Sequence, residues 1–553
     1  MISGIPVWRL IGRLGGLCAA LAVCLAPAIA QQGGERGPLP ALRELEAAGA
    51  VVGEIRIDNQ NIFDLNDPRE NNWFYRAANT LHIRTRPGVV RRTLLFKSGE
   101  PVSVQAIEES ERLLRGNGNI YDVRIRPVAY RDGVVDIEVT TRDTWSLDPA
   151  IKLSRGGGVN SGAIGLKETN LLGTGALIGY THESEIDRNV NEFSIAHKQL
   201  FGNWTAIEYL HGDFSDGKRD KLRLERPFYA LDTRWAAGVV ASTDERIDSV
   251  FGGGGVLGQY RRQSDSGEVY GGLSGGLVDG WTHRYSLGIQ YQNDSYRADP
   301  ALPAPPQVPL DRRLVAPFVR YEVVEDDFLK VRNRDRVERT EFLPLGFSSR
   351  LQLGRATTGL GSMRDLWLYS AAVSDGIAFT PDHSLQTTAY ANGQYGGGGG
   401  EHQFFGAGVK YYFKQGRRGL FFASLAADAV ANGDASEQLL IGGDNGLRGY
   451  PLRYQSGTRR ALLTLEQRLY TEWFPLRLFR IGAAVFYDYG RAWRGENPNA
   501  VNPGWLGDVG VGLRIFSDRS ATGRVLHIDL AFPIDREPGI RSHQILFKSR
   551  ASF

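Results

Sequence analysis

From Ser146 to Phe553 the chain carries no helical periodicity; apolar and polar residues alternate in short runs broken by turn signals. Near the end, Leu526, Ile528, Leu530 and Phe532 fall on one side of an extended segment, and His527, Asp529 and Ala531 on the other. Val509, Val511, Leu513 and Ile515 oppose Asp508, Gly510, Gly512 and Arg514 in the same way. One wall of such a sheet is apolar and its reverse polar. That leaves two solutions: a sandwich that buries the apolar side against a second sheet, or a closed barrel that turns it toward lipid. "NLLGTG" at Asn170, "FGNW" at Phe201 and "RPFYALDTRW" at Arg226 recur about every thirty residues, room for two strands, a short turn and a longer loop, so residues 146–553 are predicted to hold about sixteen strands.

Composition and the N-terminus favour lipid. The chain has 68 Gly, 25 Phe, 22 Tyr and 10 Trp with a formal net charge of +3; glycine for bends and aromatics for interfacial belts are what a membrane barrel uses. So balanced a charge offers no footprint for nucleic acid. Arg9 and Arg13 precede an apolar run from Leu14 to Ala26 and the small-residue site Ala28-Ile29-Ala30, so residues 1–30 read as a secretory signal peptide. Cys18 and Cys24 lie in that run, preceded by Leu17 and Val23 where a lipoprotein site wants a small residue, and cleavage after Ala30 removes both. No later segment has the ~18 consecutive apolar residues of a membrane helix, and the mean hydropathy is −0.28.

Residues 31–50 read as a linker, "QQGGERGPLP", and a short helix, "ALRELEAAG". Residues 51–145 change pattern. Glu54 to Asp58 alternates as a strand and Val89 to Phe96 is helix-like. "SGEPVSVQAIEESERLLRGNGNI" is a capped amphipathic helix with Ile107, Leu113 and Leu114 inward, and "YDVRIRPVAY" and "GVVDIEVTTRD" are strands joined at Arg131-Asp132-Gly133. This β-α-α-β-β unit, with "GEP" before its second helix and "TTRDTW" at its close, resembles a POTRA domain, a periplasmic module of outer-membrane assembly and secretion proteins.

The stretch "IGGDNGLRGYPLRY", Ile441 to Tyr454, sets Arg448 between Gly446 and Gly449 in a tight turn. Alternation in "RRALLTLEQRLY" puts Leu463 and Leu465 outside and Thr464, Glu466 and Arg468 inside; in "IGAAVFYDYG" it puts Gly482, Ala484, Phe486 and Asp488 inside. Two carboxylates, Glu466 and Asp488, are thereby expected on inner faces of adjacent strands, where a planar guanidinium can serve both. The pattern is similar to the BamA/TamA-type superfamily of outer-membrane proteins, surface-antigen type. There a [V/I/L]-R-G-[F/Y] tip on the sixth extracellular loop docks against an F-x-D-x-G strand and an interior Glu. The tip matches at Leu447, Arg448, Gly449 and Tyr450, the strand at Phe486, Asp488 and Gly490, and the interior Glu at Glu466. The final strand, "HQILFKSRASF", puts Ile545, Phe547, Ala551 and Phe553 on one face, and its terminal Phe resembles the C-terminal signal of such barrels. The family carries several POTRA units in assembly factors and two in two-partner transporters; residues 51–145 have room for one.

Other motifs carry no chemistry. Gly272-Leu273-Ser274-Gly275-Gly276 fits G-x-S-x-G, but its flanks read as strands and a nucleophile elbow needs a following helix. The nine histidines show no ligand spacing, and Gly396 to Gly400 lacks the Lys-Ser/Thr of a phosphate loop. Ala301 to Leu310, "ALPAPPQVPL", reads as an extended extracellular loop. No enzyme activity, metal or cofactor is expected. The resemblance implies a transmembrane antiparallel β-barrel in the bacterial outer membrane, preceded by one periplasmic α+β domain, with a plugged lumen and a lateral seam, inserting or translocating other proteins. The partners it implies are unfolded outer-membrane or secreted clients, the lipid bilayer with lipopolysaccharide, and periplasmic accessory proteins. A secretion channel dedicated to one partner is the alternative; a passive porin is a third, against which the N-terminal unit argues.

Overall fold

The two-residue alternation closes on itself. In the computed structural model, which describes residues 39–149, 151–305, 307–493, 504–521, 523–536 and 539–550, the chain from Leu147 onward forms a closed barrel of antiparallel strands. Residues 1–30 and Phe553, read above as leader and terminal signal, lie outside the described residues. Leu147–Pro149 and Lys152–Gly156 both pair with Val159–Leu171 and share one place in the wall, so among the described residues the barrel has 20 strands.

The expectation of about sixteen strands is therefore corrected, and the turns give the reason. A spacing of about thirty residues allowed a long loop in every hairpin. Instead the chain reverses over two residues between Gly156 and Val159, Gly252 and Gly255, Val278 and Trp281, and Gly396 and Gly399. The loop residues Asp279 and Gly280 both have positive φ, 49° and 82°, the backbone of a turn whose twist matches that of the strands. Short turns leave length for more strands.

Leu153, Ile164, Leu287, Val319 and Val485 project from the outer wall and are exposed, a continuous apolar surface that water does not favour. Phe201 and Trp473 are exposed at one rim, Trp367 and Trp505 toward the other. Among the described residues no helix is long and apolar enough to cross a membrane. The inner face is polar and packed, with Asp294, Glu466, Arg468, Asp488, Asp508, Arg514 and Asp529 all buried.

Before the barrel lies a small α+β unit. Val51–Gln60 pairs in parallel with Val134–Asp143, which pairs antiparallel with Ile120–Arg131; Trp73–Leu81, Pro87–Thr93 and Val104–Arg115 are helices. The first of these was not read from the sequence; it buries Tyr75 and Ala78 while Trp73 and Leu81 stay exposed. Val52, Val90, Ile107, Leu114, Ile120 and Ile137 form the unit's core.

The unit sits across one end of the barrel, here the near end. The buried Glu109 carboxylate accepts from the Leu231 N–H at 2.8 Å, and Arg112 pairs with Asp326 at 3.0 Å. Arg519, in the turn before the strand Val525–Pro533, donates to the Ile62 carbonyl at 3.2 Å and to Glu70 at 2.8 Å, both partners in the unit. A hairpin of Phe328–Arg332 and Thr340–Pro344 adds a second closure. Lys330 pairs with Glu111 of the unit, while Val337 packs inside the barrel against Tyr412, Tyr470 and Phe516. This inner hairpin does not span the wall; it plugs the near end.

Two outcomes follow. Arg519→Ala leaves the buried Glu70 without its cation, a loss of about 3 to 5 kcal/mol; limited proteolysis should then cut residues 61–145 faster while the barrel stays intact. In the inner hairpin, burial and then the Asp335 carboxylate push Glu341 up to about 7 from 4.5, against N–H donation from Arg336, Arg334 and Asp335. A folded value above the ordinary one means that the packed hairpin holds a proton which the loosened hairpin releases. Its contribution is full below about pH 4.5 and lost as pH rises through about 7. Protease cleavage in 327–346 should rise from about pH 5 to about pH 8, and Glu341→Gln should flatten that rise.

Candidate functional site

The loop 432–458, between the strands Gly419–Ala431 and Arg459–Tyr470, folds from the far end back into the barrel. Its tip turns on glycines. Gly446 has φ of +90°, and a Cβ there would lie 2.4 Å from the Leu462 side chain. At Gly449 a Cβ would lie 2.8 Å from the Asp508 Cβ, and at Gly490 2.7 Å from the Ile441 side chain, so all three positions need the close approach that glycine permits. Leu447 is wholly buried among Ile441, Tyr450, Tyr454, Ala492 and Leu506. The Tyr450 hydroxyl donates to the Gly507 carbonyl at 2.9 Å.

Arg448 is 4% exposed and lies among acids from three strands. Its Nε donates to Asp488 Oδ2 at 2.6 Å and its Nη2 to Asp488 Oδ1 at 3.1 Å, a fork-to-fork pair. Its Nη1 reaches Glu466 Oε2 at 3.2 Å and Asp529 Oδ2 at 3.5 Å. The Phe486 ring lies beneath the guanidinium, 3.3 Å from its carbon to the ring centroid. Thr464 donates to Asp488 at 2.8 Å, and the Gly449 N–H to Asp508 at 3.0 Å. Four carboxylates, Glu466, Asp488, Asp508 and Asp529, thus gather around three guanidinia, Arg448, Arg468 and Arg514.

Asp508, Asp529, Arg468 and Arg514 were not singled out from the sequence. Alternation had placed Asp508, Asp529, Arg468 and Arg514 on inner faces, and that was the available signal; what was missing was which strands neighbour one another. Arg514 bridges Asp529 at 2.5 Å and Glu466 at 3.4 Å. Arg468 joins Glu466 at 3.0 Å and donates to the Arg334 carbonyl of the inner hairpin, also at 3.0 Å.

The same loop touches both sides of the barrel's closure. Between the first and last strands, Lys152–Gly156 and Gln544–Arg550, the only registered pair among the described residues is Arg155 with Phe547, supplemented by Ser154 Oγ donating to the Phe547 carbonyl at 3.0 Å. The last strand pairs with Val525–Pro533 over seven residues. Lys548 of the last strand donates to the Asp444 carbonyl of the loop at 2.8 Å. From the other side, the Leu452 N–H donates to the Gly157 carbonyl in the first hairpin's turn at 3.3 Å. The loop spans the seam.

Gly272 to Gly276 lie near the end of the strand Gly255–Val278, and a two-residue turn and another strand follow, not a helix. Residues 301–305 lie at the far end, where the Pro303 carbonyl accepts from the Gln259 N–H at 2.9 Å.

No family model matches this chain, and no curated protein matches it. Among solved structures it is similar to BamA from Haemophilus ducreyi lacking POTRA domains 1-3, with 13% identity, 89% of this chain and 84% of that one covered, and a TM-score of 0.36. It is similar to CdiB from Escherichia coli, with 11% identity, coverage of 90% and 76%, and a TM-score of 0.44. BauA, the ferric preacinetobactin receptor from Acinetobacter baumannii, is similar at 10% identity, coverage of 77% and 84%, and a TM-score of 0.32. Likeness at this level carries nothing about function.

Arg448→Ala leaves the four acids with two guanidinia and removes the cation of a buried pair, a loss of about 3 to 5 kcal/mol. The barrel should then unfold at lower temperature in a heat-dependent gel shift, and protease should cut 444–454 that it spares in the wild type. Arg448→Lys should rescue only partly, because an ammonium cannot form the paired contacts to Asp488. Unchanged cleavage in Arg448→Ala would falsify the anchoring role.

Proposed function

We propose that this chain is a bacterial outer-membrane β-barrel that inserts, assembles or translocates other proteins, its N-terminal unit acting as one POTRA-type domain in the periplasm. The observation that carries the proposal is the seam: among the described residues, one registered pair closes the wall where the neighbouring junction has seven. In lipid, each unpaired backbone group costs several kcal/mol, so a wall so sparsely closed favours a strand from elsewhere that completes it. An unfolded barrel protein offers such strands, and pairing along an exposed edge needs no particular sequence.

The exposed apolar wall suits a bilayer, and the aromatic residues at its two rims suit the headgroup zones, including lipopolysaccharide on the outer side. The packed lumen, closed from the near end by the inner hairpin and from the far end by the Arg448 loop, does not suit a passive porin. Arg448, with Glu466 and Asp488, is on this proposal the anchor that keeps the loop across the seam, so that lateral opening requires the loop to yield. A cavity of about 890 Å³ between the N-terminal unit and the near rim, lined by Arg112, Trp204, Phe228, Tyr229 and Phe342, offers aromatic and cationic contacts to an unfolded client.

Cysteines at Arg155 and Phe547, oxidised to a disulfide, should abolish the accumulation of client proteins in the outer membrane, and reductant should restore it. Full function in the locked state would sink lateral opening. Depletion of the protein, followed by a census of outer-membrane and secreted proteins, separates the roles: loss of many barrel proteins marks an insertase, and loss of one secreted protein marks a dedicated channel.

A further inference from the structure

His82, His211 and His402 each stand within 4.0 Å of a carboxylate, and they differ in geometry. His82 faces one acid, Asp143, whose same oxygen also accepts from the Thr85 N–H. His211 stands between two aspartates, but Asp213 is 3.4 Å from Nε2 and Asp220 is 2.8 Å from Nδ1, so no single ion meets both acids and one ring nitrogen. At His402 one nitrogen, Nδ1, faces two acids: Glu437 Oε2 at 2.9 Å and Asp434 Oδ2 at 3.8 Å. The three donor atoms all lie within 4.8 Å of one another.

The backbone brings this arrangement about. Between the strands His383–Gly396 and Gly399–Gln415, Asn392 pairs with Phe404 and Gln394 with Glu401, so His402 and Gln403 together face Gly393 in a β-bulge. His402 has φ of 47°, a left-handed backbone uncommon for a side chain other than glycine. A bulge re-aims a side chain, and here it turns the imidazole toward the root of the Arg448 loop. That root is already tied in place. The His402 N–H donates to the Asn432 carbonyl at 2.9 Å, and the Asn432 side chain donates to the Gly400 carbonyl at 2.7 Å. The Asp434 N–H donates to Glu437 Oε2 at 2.8 Å. A Cβ on Gly433 would lie 2.5 Å from the same oxygen, so the carboxylate occupies space that any other residue would fill.

The charge is unbalanced. Among the described residues no lysine or arginine forms an ion pair with Asp434 or Glu437. The guanidinium of Arg312, in the neighbouring strand, is bound to Asp294 and the Tyr296 hydroxyl.

We propose that His402, Asp434 and Glu437 bind a first-row divalent transition cation of the Zn²⁺ class, clipping the root of the Arg448 loop to the adjacent rim. One imidazole nitrogen with two carboxylate oxygens is a donor set for such ions; calcium and magnesium prefer oxygen alone. Bonds of about 2.0 to 2.2 Å to each donor place the donors about 3 to 4 Å apart, the range that His402 already spans to both acids. Binding exchanges the hydrogen bond between His402 and Glu437 for two metal bonds, with water in the remaining positions.

The test uses the full chain purified in detergent and stripped with chelator, titrated with zinc chloride by calorimetry at about pH 7. One saturable Zn²⁺ per chain is expected, weakened about tenfold or more by His402→Ala, Asp434→Asn and Glu437→Gln, and unchanged by His211→Ala. Excess calcium should not compete. Zinc should also slow protease cleavage of 432–458 in the wild type and not in the three variants. A heat-dependent gel shift identifies any variant that fails to fold, and the remaining variants then decide. No saturable binding, affinity unchanged in every folded variant, or displacement by calcium would each overturn the proposal. None of these readouts involves a client protein, so the result stands apart from the role in protein insertion.

Discussion

Taking one guanidinium out of water imposes conditions on everything near it. An unpaired ion of that size in a medium of low polarity carries a penalty of order 20 kcal/mol before relaxation, so Arg448 can be buried only where several acids converge. A single strand cannot present them. Glu466, Asp488 and Asp529 come from three strands, and the loop must therefore end where those strands bring their inner faces together. The acids in turn need the arginine, because Asp488 and Asp508 stand directly opposite each other in the pairing of their strands. The glycines at 446, 449 and 490 are the steric side of the same requirement, each removing an atom that would hold the loop away from the wall.

A closed sheet ordinarily abolishes the vulnerable edge that open sheets carry. This barrel nearly retains one. Ile151 lies outside the strand ladder, and the last strand pairs with the first at a single described position. Contacts from the loop to Lys548 on one side and Gly157 on the other bridge the weakness without filling the missing ladder. Side-chain and loop contacts exchange more readily than a run of strand pairs, so this junction is held less firmly than its neighbour.

How much of this could be read beforehand followed from periodicity. Glu466 and Asp488 were legible as inner residues because strand side chains alternate strictly, and the arginine between two glycines marked a tight, charged turn. Strand number was not legible, because two-residue turns and longer loops leave similar punctuation. The inner hairpin escaped notice since its residues read as one more pair of short strands, and nothing local says that Val337 will pack inside the barrel rather than lie in the wall. Trp73–Leu81 was not read either, although Trp73, Ala77 and Leu81 recur at helical spacing. His402 lies in one strand, and Asp434 and Glu437 lie in the loop that follows the next strand, so only the pairing of strands places them together.

Glu466 accepts from Arg448 with one oxygen and from Arg468 with the other, and Arg468 in turn grips the backbone of the inner hairpin. A single carboxylate is thus common to the two stoppers, one from each end of the barrel. Thermodynamic reciprocity then applies: whatever free energy the departure of one stopper adds to the release of the other, the reverse order adds in equal measure. The two sides of the barrel are not independent valves; each keeps a partial account of whether the other is shut.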